Sequence, residues 1–438
     1  MTTTACNGST RMDSRRHHLI PGSAHTYAKG DDQYPVNAPD MVVRGKGCHV
    51  LGSDGNEYIE YGMGLRSVTL GHAYPTVVER VRSVLDLGTN FTRPAPWEVE
   101  AAERLLGLLR PGQMVKFCKN GSDATSAGTR LARAVTGRDR IAACRSQPFF
   151  STDDWFIGTS AMNAGIPKAI RDLTVGFNYG DIAELERVFE EYPGEIACVV
   201  MEAARETEPP DGYLQAVGAL CRRHGAVWLL DEMITGFRWH IGGAQTVYSI
   251  EPDLSAFGKG LGNGFAVSAL VGRRDLMRRG GLDTDEERVF LLSTTHGAES
   301  VGLAAAMATI DTYRDEPVIE HLHRQGRRLV EGVHEVVDAL GVREYLHASG
   351  RPSNLVYRTL DPQGRPSQPY RTLFMQELIR NGVLGPSFVF SYSHGDADID
   401  QTVAAVDAAA RIYARALEDG PDELLEGRSV KPAVRRYA

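Results

Sequence analysis

Lys259 is the residue of this chain best placed to act as an amine nucleophile. It stands in Asp253-Leu-Ser-Ala-Phe-Gly-Lys-Gly-Leu-Gly-Asn-Gly264, where four glycines in the last seven positions leave backbone room around the side chain. Only seven of the 48 basic residues are lysine, and the arginines, permanently protonated, cannot take that role. Upstream, Asp231 and Glu232 end the apolar run Ala226–Leu230. Ligands of open α/β sheets sit beyond the carboxyl ends of strands. An acid there can face a protonated ring nitrogen or a metal, or it can cap the next loop. Further upstream, Lys119-Asn-Gly-Ser-Asp-Ala-Thr125 follows a strand pattern and opens a helix. Gly121 permits close approach, Ser122 offers a hydroxyl, and first-turn amides bind phosphate, although the same pattern also starts ordinary helices. In that order, a phosphate cradle, a strand-end acid and a later lysine describe a pyridoxal phosphate site, the lysine joining the cofactor and the acid keeping its ring nitrogen protonated.

The elements that position these residues follow from periodicity. Met41–Arg44, Cys48–Leu51 and Glu57–Tyr61 read as short strands, the last two joined by Gly52-Ser-Asp-Gly-Asn56 as in a hairpin. Helical spacing starts near Tyr74 and recurs over 97–109. From 113 to 290 strands and helices alternate: Val115–Cys118, a helix from Ser122, the apolar run Ala197–Met201, a helix from Gly212, then Ala226–Leu230 and Ala266–Val271. Apolar runs without alternation mark strands buried on both faces. The expected fold class is α/β, a large domain with a mostly parallel sheet covered by helices plus a small α+β domain built from both chain ends. The expected division is a loose N-terminal arm (1–24), the first part of the small domain (25–74), the large domain (75–315) and the rest of the small domain (316–438).

Composition narrows the class. The 438 residues carry a net charge of −8, and the pI is near 5.9, so nothing suggests nucleic acid or an anionic membrane as partner. No run approaches 18 apolar residues, and the N-terminus has no apolar signal core, so a soluble, cytoplasmic protein is expected. Six scattered cysteines and thirteen histidines show no metal spacing, and disulfides are not expected. No Gly-x-Gly-x-x-Gly turn follows a strand, which excludes a dinucleotide-dependent dehydrogenase.

The motifs Gly45-x-Gly47, Asp54–Ile59, Leu70-Gly-His-Ala73, Asn120–Ala124, Asp231-Glu-Met-Ile-Thr-Gly-Phe-Arg238, Gly258-Lys-Gly260 and Ser293–Gly297 span most of the chain. Together they resemble the class III aminotransferases of the fold type I pyridoxal phosphate superfamily, nearest the glutamate-1-semialdehyde aminomutase branch. The resemblance implies that Lys259 is the cofactor-linked lysine and proton shuttle, and that Asp231 is the partner of the ring nitrogen. It makes Gly121 and Ser122 the phosphate turn and Glu202 an acidic position near the cofactor. Met233 would pack on one ring face. Thr295 would reach the phosphate of a second subunit, implying a homodimer with shared sites. Two departures stand out. The ring-stacking segment reads Pro148-Phe-Phe-Ser-Thr-Asp-Asp-Trp155, with Phe149 the stacking candidate and Phe150 the alternative. The stretch Ala24–Lys29, where aminomutases carry an arginine for the substrate carboxylate, has none.

That missing clamp points away from a semialdehyde. The expectation is an aminotransferase passing an amine from a small-molecule donor, L-glutamate, to a keto acceptor. The acceptor would be the ketone of a sugar or cyclitol, phosphorylated or not, in antibiotic or polysaccharide biosynthesis. Tyr27, Arg66 and His296 are the substrate-binding candidates, with His25, Lys29 and Arg93 as further polar or basic groups. The alternatives are an aminomutase acting on glutamate-1-semialdehyde and a non-catalytic, cofactor-binding sensor module.

Overall fold

The computed structural model describes residues 15–110, 112–147 and 149–437, and the chain divides into two units, 64–322 and the pair of segments 1–63 and 323–438. In the second of these units, β1 (Val42–Lys46), β2 (His49–Gly52) and β3 (Glu57–Glu60) form an antiparallel meander. Its 52–56 turn closes as the composition requires, with Gly55 at φ +86° and the Asp54 carboxylate accepting from the Asn56 amide at 3.1 Å. Residues 1–14 of the expected arm lie outside the described residues. Arg15–Leu19 are helical, and Arg16 and His17 both pair with Asp31.

The 64–322 unit opens with α1 (Pro75–Leu85) and α2 (Pro96–Leu106), then builds one seven-stranded sheet. Its elements are β4 (Gln113–Cys118), α3 (Gly121–Thr136), β5 (Arg140–Cys144), β6 (Thr174–Phe177), α4 (Ile182–Glu191), β7 (Ile196–Glu202), α5 (Tyr213–His224), β8 (Val227–Asp231), β9 (Leu254–Phe257), β10 (Ser268–Arg273) and α6 (Ser300–Asp315). The strand order is β4-β10-β9-β8-β7-β5-β6, and β10 alone runs antiparallel to its neighbours. The fold is therefore α/β with a mostly parallel sheet, as expected. Every residue of β7 (Ile-Ala-Cys-Val-Val-Met-Glu) and β8 (Val-Trp-Leu-Leu-Asp) is buried, because helices cover both faces of a parallel sheet. The helix α5 is bounded by Gly212 and Gly225, both left-handed, which fixes its length at three turns.

Then α7 (Val318–Ala339) leads on to β11 (Leu346–Ser349), β12 (Asn354–Thr359), α8 (Gln368–Arg380), β13 (Val383–Leu384), β14 (Phe388–Val389) and α9 (Asp396–Asp419). β13 adds to β3 in parallel, so segments from both chain ends share one sheet. The five described cysteines, Cys48, Cys118, Cys144, Cys198 and Cys221, are free and buried; Cys6 lies outside the described residues. Among the described residues no helix is long and apolar enough to cross a membrane.

Candidate active site

Three parallel strands end level with one another. Glu202 closes β7 opposite Asp231, which closes β8 and pairs in turn with Ala256 of β9. These two acids are the only carboxylates in either strand and neither strand holds a basic residue, so the apolar runs deliver charge only at their carboxyl ends. Two residues beyond Phe257, the end of β9, stands Lys259, held at φ +42° in a short turn. Left-handed backbone at a lysine is strained and persists only where the surroundings enforce it. Here the glycines enforce it: a Cβ on Gly258 would lie 2.5 Å from Ser268 Oγ and 2.6 Å from Met233 Sδ, and one on Gly260 would lie 2.9 Å from Thr69 Cγ2.

The electrostatics couple these groups. Burial lowers the Lys259 pKa, opposed by Asp231 and Glu202 and assisted by Arg66 and Arg205. A lysine pushed down this way offers a neutral amine more readily than a surface lysine. Burial, with Glu202 nearby, pushes Asp231 up to about 7 against the pull of Lys259 and of the Met233 amide, which donates to Asp231 Oδ1 at 2.8 Å. Glu202 is also raised by burial, with Arg205, Lys259 and Arg66 opposing. Arg205 Nε meets Glu202 Oε2 at 3.0 Å. The Gln147 amide brackets the Glu202 backbone, accepting from its N–H at 2.8 Å and donating to its carbonyl at 2.9 Å. Glu232, the second acid of the motif, serves the scaffold instead: it accepts from the Thr235 hydroxyl and from the Ala244 and Gln245 amides at 2.8 Å each.

The glycine-serine turn packs against this group. Asn120 N donates to Asp123 Oδ2 at 3.0 Å, which starts α3 and leaves its first-turn amides outside the intrahelical ladder. A Cβ on Gly121 would lie 2.8 Å from Met233 Sδ, so Met233 lies between the turn and the lysine loop. Ser122 Oγ accepts from Thr152 N at 3.0 Å, Thr125 Oγ1 donates to the Phe150 carbonyl at 2.7 Å, and Ser126 Oγ meets Ser151 Oγ at 2.9 Å. These bonds tie the aromatic segment to α3. The segment's two phenylalanines are both edge-on to Phe156 and differ in burial: Phe150 is 2% exposed and Phe149 is 49% exposed. Pro148 lies outside the described residues.

Thr295 and His296 are exposed, Asn90 Nδ2 donates to the Thr295 carbonyl at 3.1 Å, and Thr295 lines a separate cleft with Thr89, Arg93 and Lys116. Tyr27 belongs to the other unit and is 63% exposed. Arg66 is in the 64–322 unit at φ +72°. Two contributors are absent from the motif reading. Arg205 was visible only as a cation three residues past Glu202. Gln147, 55 positions from its partner, had no local signal.

A pyridoxal phosphate fits this arrangement. The site offers an amine of lowered pKa, a buried carboxylate that a cationic ring nitrogen would hold ionised, and a helix start where a glycine leaves no side chain between the amides and a phosphate. These features define a pyridoxal-phosphate-dependent enzyme on a fold type I scaffold. The class-III aminotransferase family model matches residues 27–344, and the chain belongs to that family. It is 31% identical over 430 residues to the glutamate-1-semialdehyde 2,1-aminomutase of Anaeromyxobacter sp. (92% of this chain, 97% of the relative). It is 34% identical over 351 residues to the enzyme of the same name from Aeropyrum pernix (76% and 79%). It also superposes on the PLP internal aldimine form of the FumI protein from Sphingopyxis sp. MTA144, with a TM-score of 0.84 and 26% identity over 94% and 98% of the two chains.

These relatives overturn the expectation of a keto-sugar or cyclitol acceptor with an external amino donor. Others at 28–29% identity over about nine-tenths of this chain bear the same aminomutase name. The physical error lies in the inference from Ala24–Lys29. A missing arginine there removes one carboxylate clamp, yet the site holds two other guanidiniums, Arg66 and Arg205, in the field of Lys259.

Proposed function

We propose that this enzyme is a glutamate-1-semialdehyde 2,1-aminomutase working as a homodimer in the cytoplasm. The observation that carries the reading is end-to-end likeness to relatives of that name, 31% identity over 92% of this chain and 97% of the Anaeromyxobacter enzyme. In the reaction the amine leaves C2 of the substrate and arrives at C1. The aldehyde carbon becomes an aminomethyl group and C2 becomes a ketone. Substrate and product are isomers, so no amino donor is consumed and no oxidant is needed.

Pyridoxal phosphate, when bound, supplies an electron-accepting ring and a carbon through which amines are exchanged. Gly121 and Ser122, at the start of α3, would hold its phosphate, and Asp231 its ring nitrogen. Phe149 and Met233 would bound the ring, and Thr295 would serve the phosphate of the second subunit's site. Glu202 keeps Arg205 beside the reacting region. Tyr27 and His296 would contact the substrate. Lys259, its pKa lowered by burial, takes the proton from the substrate carbon that carries the amine and returns one to the carbon that receives it.

The test is conversion of glutamate-1-semialdehyde by the purified, cofactor-loaded enzyme with no amino acid added, followed by nuclear magnetic resonance with the amine labelled as nitrogen-15. The expected product is the isomeric amino ketone with its label retained. Absence of product, or product only when an amino acid donor is added, refutes the reading.

A further inference from the structure

The loop 64–71 is held by four hydrogen bonds, three of them to the lysine loop. Leu70 N donates to Asn263 Oδ1 at 2.8 Å, Asn263 Nδ2 to the Gly71 carbonyl at 3.0 Å, and Thr69 Oγ1 to the Gly260 carbonyl at 3.4 Å. Arg238, itself buried, donates from Nη2 to the Arg66 carbonyl at 3.0 Å. Gly64, Leu65 and Arg66 are all left-handed, at φ +57°, +58° and +72°. Two successive non-glycine residues in that region are strained and persist only where the surroundings enforce them, so the packing fixes how Arg66 is presented.

Glu202 is a buried acid of this neighbourhood, in contact with Arg205 and in the field of Arg66. Arg205 meets it through Nε at 3.0 Å, a contact that leaves the two terminal nitrogens of Arg205 outside the pair, and the Arg205 side chain is 28% exposed. Arg66 interacts with Glu202, with Arg205 and with the exposed Glu206. Lys259, its pKa lowered by burial, lies in the field of Glu202 and Asp231 as well. Guanidiniums repel one another, so the two that act on Glu202 would be drawn together further by a substrate carboxylate.

We propose that Arg66 and Arg205 form the subsite for the side-chain carboxylate of the substrate, replacing the arginine that Ala24–Lys29 lacks. The inference rests on the aminomutase reading and adds to it the residues that select a carboxylate-bearing amino aldehyde. Arg66→Gly is the informative variant: glycine accepts φ +72°, so the fold is retained while the guanidinium is removed. Loss of a charge-assisted clamp should raise KM for glutamate-1-semialdehyde by roughly 30- to 300-fold while kcat changes less than about threefold. Arg66→Lys should fall between, because it keeps the charge without the fork. For 2-aminobutanal, the analogue without the carboxylate, wild type and Arg66→Gly should have equal KM. Glutarate binding to the holoenzyme, measured by calorimetry, should weaken at least about tenfold in Arg66→Gly. A variant that keeps both the wild-type KM and the wild-type glutarate affinity overturns the subsite. If wild type does not convert the semialdehyde at all, the aminomutase reading fails, and the glutarate titration still decides whether Arg66 binds a carboxylate.

Discussion

Replacing Asp231 with asparagine separates what the folded chain loses by holding this carboxylate from what the cofactor gains by meeting it. Without cofactor, burial and Glu202 outweigh Lys259 and push the Asp231 pKa from 3.8 to about 7. The folded state then binds the proton more tightly than the unfolded state. Stability is full below the unfolded value and is lost as pH rises from about 4 to about 7. At about 1.4 kcal/mol per unit, a shift of about three units costs the cofactor-free protein about 4 kcal/mol at pH 8 and about 1–2 kcal/mol at pH 5. Asparagine cannot ionise, and its carbonyl can still accept from the Met233 amide, a 2.8 Å bond in the native chain. Allowing for relaxation, Asp231→Asn should stabilise the cofactor-free protein by about 2–4 kcal/mol at pH 8 and by less than half of that at pH 5. Urea unfolding of the stripped protein at both pH values reads this directly. With pyridoxal phosphate added the order should reverse, because a protonated ring nitrogen supplies the counter-charge that only the aspartate can use. A variant less stable than wild type at pH 8, or one whose gain is equal at the two pH values, refutes the reasoning.

The other predictions concern packing around the cofactor. Gly121→Ala places a methyl 2.8 Å from Met233 Sδ and should weaken cofactor affinity by about tenfold or more, with Met233→Ala restoring part of it; equilibrium dialysis of the two single variants and the double variant checks this, and no rescue refutes the contact. Phe150→Ala should cost about 3–5 kcal/mol of stability, since that ring is 2% exposed, whereas Phe149→Ala should leave stability within about 1 kcal/mol and lower cofactor affinity. Denaturation and dialysis on the pair would show the opposite assignment if the rings have exchanged roles.

Much of the site was legible because its chemistry rides on strong local signals. The apolar runs 197–201 and 226–230 predict strands buried on both faces, and in a parallel sheet their terminal acids must converge, as Glu202 and Asp231 do in register. The glycines around Lys259 announced a crowded turn, and the Cβ positions at Gly258 and Gly260 show what crowds it. The strands β5 and β6 had no such signal, being short and flanked by charge. The reversed direction of β10 was equally invisible, because an apolar run states burial and says nothing of polarity. Phe149 and Phe150 could not be told apart from spacing, since adjacent residues in an irregular segment have no fixed faces. The bonds from Thr125 and Ser126 to Phe150 and Ser151 anchor that part of the segment, where Phe150 is buried and Phe149 stays exposed.

The substrate was misjudged for a related reason. A motif tests one position, but a carboxylate tests only whether a guanidinium arrives, and topology can deliver one from any loop near the strand ends. Arg66 precedes the buried turn at Thr69–Gly71 that the lysine loop grips, and Arg205 lies three residues past the end of β7. They are 139 positions apart in sequence, yet both act on Glu202. Neither is remarkable in a chain where nearly all basic residues are arginine, and this is why counting cations along the sequence could not single them out. What marks Arg66 is the left-handed backbone under it, and what marks Arg205 is the buried acid it holds. Both become visible only when the strands are laid side by side. An absent residue at one position is therefore weak grounds for excluding a substrate, and the charges that gather at the sheet's carboxyl edge are stronger grounds for choosing one.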